Sequence, residues 1–120
     1  MRTARVTAIC VMLTSCTPHD ADVRAVIGGD IERGRVAIRQ YACQTCHFIP
    51  GVTGADKLVG PPLSGIASRK YLAGVLTNTP EHMVEWIRHP QRIDPLSAMP
   101  ELGVSERDAR DIAAYLYTLR

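Results

Sequence analysis

Apolar residues recur at helical spacing in three stretches of this chain, while the long stretches between them show neither a helical nor a strand period. The first stretch opens at Asp30, whose carboxylate can cap a helix running through Glu32, Val36, Ile38 and Tyr41. Gly34 inside it weakens the helix, so close packing against another helix is its expected purpose. Pro80 opens the second, with Met83, Val84, Trp86 and Ile87 on an apolar face and Glu81, Glu85 and Arg88 elsewhere; Pro90 ends it. Ser105 caps the third, with Glu106 and Asp108 in the first turn and Ile112, Ala113, Tyr115, Leu116 and Leu119 along the stripe. Phe48 to Ser68, rich in Gly and Pro, reads as an ordered loop wrapped over something, and Gln91 to Leu102 reads as a second irregular stretch. No alternating strand pattern and no internal repeat is visible. The fold class is therefore all-α, with three main helices and long loops.

The first residues follow another logic. Arg2 and Arg5 precede a short apolar run from Val6 to Leu13, which has the form of a secretory signal and is too short to span a bilayer. Leu13-Thr14-Ser15-Cys16 resembles the lipobox of bacterial lipoproteins, in which the cysteine becomes the lipidated first residue of the mature chain. The alternative is an ordinary signal peptide that leaves Cys16 as a free thiol, a liability in an oxidising compartment. The expected division is a signal peptide over 1–15, a lipidated tether over 16–29 and a folded domain over 30–120. A lipid on Cys16 would hold that domain at the periplasmic side of a bacterial membrane.

Charge narrows the function. Residues 1–15 carry two arginines and no acid, so taking them from 14 Lys/Arg and 12 Asp/Glu leaves 12 of each. Nucleic-acid binding loses its main support, a basic excess on the folded part. The domain also holds only one Phe and one Trp, a core short of large rings.

Cys43-Gln44-Thr45-Cys46-His47 supplies the chemistry. Two cysteines separated by two residues and followed by histidine form the attachment signature of c-type haem. The two thiols can add across the two vinyl groups of one porphyrin, and the adjacent imidazole is then held under the iron. A thioredoxin-like redox pair would need a βαβ context that this chain lacks. A zinc site would need a second ligand pair, and neither His82 with His89 nor any later cysteine supplies one.

With these residues in place the chain resembles the class I c-type cytochromes, the family of mitochondrial cytochrome c and its bacterial relatives, over roughly Gly29 to Arg120. The resemblance implies the cytochrome c fold around one haem c, covalently held through Cys43 and Cys46. It places His47 as proximal ligand and Met99, in the proline-bounded segment Ala98-Met99-Pro100, as the sixth ligand. Met83 lies on a helix face and reads as core filler. Gly60-Pro61-Pro62-Leu63-Ser64-Gly65 looks like the family loop in which the carbonyl of Pro61 accepts a hydrogen bond from the proximal histidine. Arg69 stands where the family supports a haem propionate, and Trp86 where an aromatic packs near the sulfur side of the ring. Asn78 stands where mitochondrial relatives carry a propionate-bonding tryptophan, so its amide takes that role or the role has moved. Gly34 and Ile38, with Tyr115 and Leu116, occupy the places where terminal helices cross.

The C-terminal run Leu102-Gly103-Val104-Ser105, followed by the helix that carries Tyr115 and Leu116, resembles bacterial cytochrome domains that occur free or fused to the copper-bearing subunit of haem-copper oxidases, and no copper motif accompanies it here. The resemblance implies a mono-haem, membrane-tethered electron carrier, not an enzyme, that delivers electrons to a terminal oxidase or reductase of a respiratory chain. Two alternatives compete with it: an open-site haem sensor or small haem enzyme, and a fixed haem subunit of a larger oxidoreductase complex.

Overall fold

The structure, a computed structural model, describes residues 28–120. The signal over 1–15, the lipidation site Cys16 and the tether up to residue 27 lie outside the described residues.

Among the described residues four α-helices and one small hairpin follow in order: α1 (Ile31–Gln40), β1 (Tyr71–Leu72), β2 (Leu76–Thr77), α2 (Pro80–Arg88), α3 (Pro90–Ile93) and α4 (Glu106–Leu116). Three of these helices begin on local capping chemistry. Asp30 accepts the Arg33 N–H, Thr79 accepts the His82 N–H ahead of Pro80, and Ser105 accepts the Asp108 N–H. Each side-chain oxygen takes one amide of a first turn that has no helical partner.

The molecule is organised around the crossing of α1 and α4, with α2 packed on α4 as well. Ala37 and Ile38 of α1 join Ile112, Ala113 and Leu116 of α4 in one buried cluster that also takes in Met83, Val84 and Ile87 of α2. Gly34 sits at the crossing, where a Cβ would collide with the Asp111 carbonyl, so the backbones meet only because that atom is missing. Gly29, the last residue assigned to the tether by sequence, is buried against the Arg110 carbonyl.

A buried carboxylate, paired with a half-exposed arginine, pins this crossing. Asp111 is 1% exposed, and its carboxylate accepts from Arg33 Nε at 2.7 Å, Arg33 Nη2 at 2.9 Å and the Asp30 N–H at 2.6 Å. Those bonds raise the Arg33 guanidinium above its ordinary value.

Two details differ from the sequence expectation. Pro90 does not simply end α2: the helix stops at Arg88, and Pro90 opens α3, so the stretch expected to be irregular from Gln91 begins with a helical turn. A first-turn position has no use for the missing proline N–H. The hairpin was also absent from the expectation, because two-residue strands are too short to show alternation. Its turn places Ala73 and Gly74 at positive φ, with the Val75 N–H on the Leu72 carbonyl at 3.0 Å.

Candidate haem-binding site

The motif cysteines sit where α1 runs out. Ala42, at φ 58°, reverses the chain, and the following turn is closed by Thr45 N–H and Oγ1 on the Ala42 carbonyl at 3.0 and 2.7 Å. The Cys43 carbonyl then accepts from the N–H groups of both Cys46 and His47. This compact turn brings Cys43, Cys46 and His47 to the wall of one cavity of about 430 Å³. The positive φ of Ala42 and of Ala73, which also lines the cavity, costs about 1–2 kcal/mol apiece at a non-glycine residue.

A second segment fixes the imidazole. The Gly60 N–H donates to the Cys46 carbonyl and the Leu63 N–H to the Phe48 carbonyl, both at 2.8 Å, which lays residues 60–63 beside the motif. Pro61 O then lies 2.7 Å from His47 Nδ1. A carbonyl can only accept, so Nδ1 carries the proton and Nε2 keeps its lone pair for a metal. Gly60 is required at this spot, since a Cβ there would fall 2.5 Å from His47 Cε1.

Met99 lines the same cavity from the loop after α3, and its own N–H donates to Ser97 Oγ at 3.2 Å. Trp86 and Met83 reach the cavity from α2. Met83, expected as core filler, is buried and is wall as well. Arg69 lines it with its guanidinium held on the carbonyls of Pro62 and Ser64. Asn78 is not among the lining residues: its amide donates to the carbonyls of Ile66 and Arg69 at 2.8 Å, while its oxygen accepts from the Tyr117 hydroxyl at 2.6 Å. It braces the strand of chain that carries Arg69. Burial holds the Tyr117 hydroxyl up at about 12.

Sequence reasoning missed several wall residues. Ile38, Ile112 and Leu116 come from the helix crossing itself, so the core and the cavity share side chains. Tyr41 lines the cavity while its hydroxyl donates to Asp108 at 2.8 Å. Asp94 and Ser97 line it too, and their signal in the sequence is only a proximity to Met99.

The donor set suits haem c. Two free thiols, an imidazole with an available Nε2, a thioether and mainly aliphatic walls meet in one cavity. Burial pushes the Cys43 thiol up to about 11, as an apolar wall would.

The cytochrome c family model matches residues 31–120. The chain belongs to the cytochrome c family. This cytochrome is similar to the cytochrome c oxidase subunit 2 of Alkalihalophilus pseudofirmus (strain ATCC BAA-2126 / JCM 17055 / OF4), with 33% identity over 89 residues. The match covers 73% of this chain and 25% of that protein, so the cytochrome spans about a quarter of its relative's length. Membership gives the chain the all-α cytochrome c fold and implies covalently bound haem c. Among the described residues of this cytochrome, no helix is long and apolar enough to cross a membrane.

Proposed function

We propose that this cytochrome is a mono-haem electron carrier tethered through Cys16 to the periplasmic side of a bacterial membrane, passing electrons to a terminal oxidase or reductase. The observation that carries this reading is the convergence of Cys43, Cys46, His47 and Met99 on one cavity. Haem c, when bound, supplies an iron that cycles between ferric and ferrous states.

The chain's own residues do the rest. Cys43 and Cys46 would fix the ring covalently, and His47, oriented by Pro61, would offer Nε2 to the metal. Met99 offers a thioether, which favours the ferrous state relative to a second imidazole. Were His47 and Met99 both to hold the iron, a substrate would find no open position, which favours outer-sphere transfer over catalysis at iron. The aliphatic walls lower the local dielectric, and Arg69 is the cation available to a propionate.

Val59, Ala98, Pro100 and Leu102 both line the cavity and reach solvent, giving an apolar exposed rim. Leu58 and Leu96 add further exposed apolar surface. In the adjoining segments Lys57 is paired with Asp56, and His89 Nδ1 lies 3.4 Å from Glu101 Oε2. A rim of this kind suits a partner that is itself apolar and is held close. The similarity to an oxidase subunit supports a terminal oxidase as that partner.

The absorption spectrum of the purified ferric protein tests the iron site. A weak far-red band, with no binding of carbon monoxide after reduction, is the expected result. Ready binding of carbon monoxide and no such band would replace the carrier with an open-site sensor or enzyme. The anchor is tested by feeding labelled palmitate to cells: label is expected on the native chain and not on Cys16→Ala, and label persisting in the variant would end the lipoprotein reading.

A further inference from the structure

The loop that carries Met99 has almost nothing to hold it by packing. From Gln91 to Gly103 no residue is buried, and Leu96 is 94% exposed. A ligand offered from such a loop would be lost whenever the loop changed shape, since each of its residues gains backbone entropy on release. Something other than the core must therefore fix its conformation.

The hydrogen bonds identify what does. Asp94 Oδ1 accepts the Leu96 N–H at 3.1 Å, and the Asp94 carbonyl accepts the Ser97 N–H at 3.0 Å. Ser97 Oγ then accepts the Met99 N–H at 3.2 Å. The Ser97 carbonyl is approached by Gln91 Nε2 at 3.4 Å, which ties the loop back to α3, and the Asp94 N–H closes α3 on the Pro90 carbonyl at 2.9 Å. Two side chains thus take the amides of Leu96 and Met99 between two prolines that have none to offer. Both Asp94 and Ser97 also line the cavity, so the bonds form at the wall that the haem would meet.

We propose that Asp94 and Ser97 are positioning residues for the sixth ligand: they hold the Pro95–Pro100 loop in the shape that presents Met99 to the iron. This rests on the reading of Met99 as a ligand. Neither residue touches the metal in this account; each acts through a backbone amide, Asp94 on that of Leu96 and Ser97 on that of Met99. Preorganisation of this kind strengthens a bond by removing the ordering that would otherwise accompany it.

The test is a titration of the ferric holoprotein with free imidazole, which competes with the thioether for iron, read by loss of the far-red band. Ser97→Ala is expected to raise the apparent affinity for imidazole about fivefold, the effect of one neutral hydrogen bond lost from the competing state. Ser97→Thr, which keeps the hydroxyl, should restore the native value. Asp94→Ala should raise the affinity at least as much, whereas Asp94→Asn keeps an acceptor oxygen and should stay within about twofold. A merely structural role would lower the urea midpoint of these variants without moving the imidazole titration. Native imidazole affinity in both Ser97→Ala and Asp94→Ala overturns the proposal. Because both side chains are partly exposed, neither truncation opens a core cavity, and the two variants are independent arms should one fail to incorporate haem. Met99→Ala separates the two readings: if it keeps the far-red band and the native titration, the ligand assignment itself fails, whatever Ser97 does.

Discussion

Asp108 and Asp111 stand three positions apart on α4 and meet α1 by different means. Asp111 is sealed from water and completed by Arg33 and the Asp30 amide, so removing any one partner would leave a buried carboxylate short of donors. Asp108 is at the edge, where the Tyr41 hydroxyl and then Ser105 hold its carboxyl below the usual carboxylate range. A carboxylate with a depressed folded pKa contributes stability above its unfolded value of about 3.9, and that contribution is lost as pH falls through the folded value. Tyr41→Phe is therefore expected to be less stable than the native chain at neutral pH, with the gap closing below about pH 4. Urea unfolding at several pH values checks this, and a gap that stays constant into acid would refute the linkage. Neither partnership was legible in the sequence, since Asp111 interrupts an apolar stripe and its guanidinium lies 78 positions away. Asn78 is a similar case: its site in the chain was visible, but its use depends on Tyr117, 39 positions on. That Cys43, Cys46, His47, Pro61 and Met99 come to one cavity could be anticipated because each belongs to a short local motif.

At the level of elements, helix starts were readable and short elements were not. Asp30, Thr79 with Pro80, and Ser105 announce three helices by side-chain chemistry confined to one turn. The hairpin from Tyr71 to Thr77 has no such announcement, as its strands hold two residues each and its turn uses Ala73 where a glycine would be expected. Turn α3 was hidden by the habit of reading Pro90 only as a stop. Gly34, in contrast, was read correctly as a contact point, and the reason is now specific: the α4 backbone occupies the space of its missing Cβ. Gly34→Ala is expected to destabilise the holoprotein by about 3 kcal/mol, the upper end for overpacking, even though alanine is the better helix former. A denaturant titration showing native or raised stability would mean that the helices can part without penalty.

For the whole molecule, the charge balance and the apolar rim bear on how it meets its partners. With equal numbers of acidic and basic side chains beyond residue 15, long-range steering has little to act on. Electron transfer to a detergent-solubilised terminal oxidase is expected to change by less than about threefold between ~10 and ~300 mM salt, where steered pairs change far more. A steep fall in stopped-flow rate with salt would show a charged docking face instead. The crossing of α1 and α4 has a further consequence, in time. The bonds from Asp30 and Arg33 to Asp111 close loops of about 80 residues, and every cavity-lining residue except Ile112 and Leu116 of α4 lies inside them. A chain emerging amino terminus first presents both cysteines long before α4 arrives to complete the cavity wall with Ile112 and Leu116. The order of the elements along the chain therefore leaves the two thiols in reach before the cavity wall is complete.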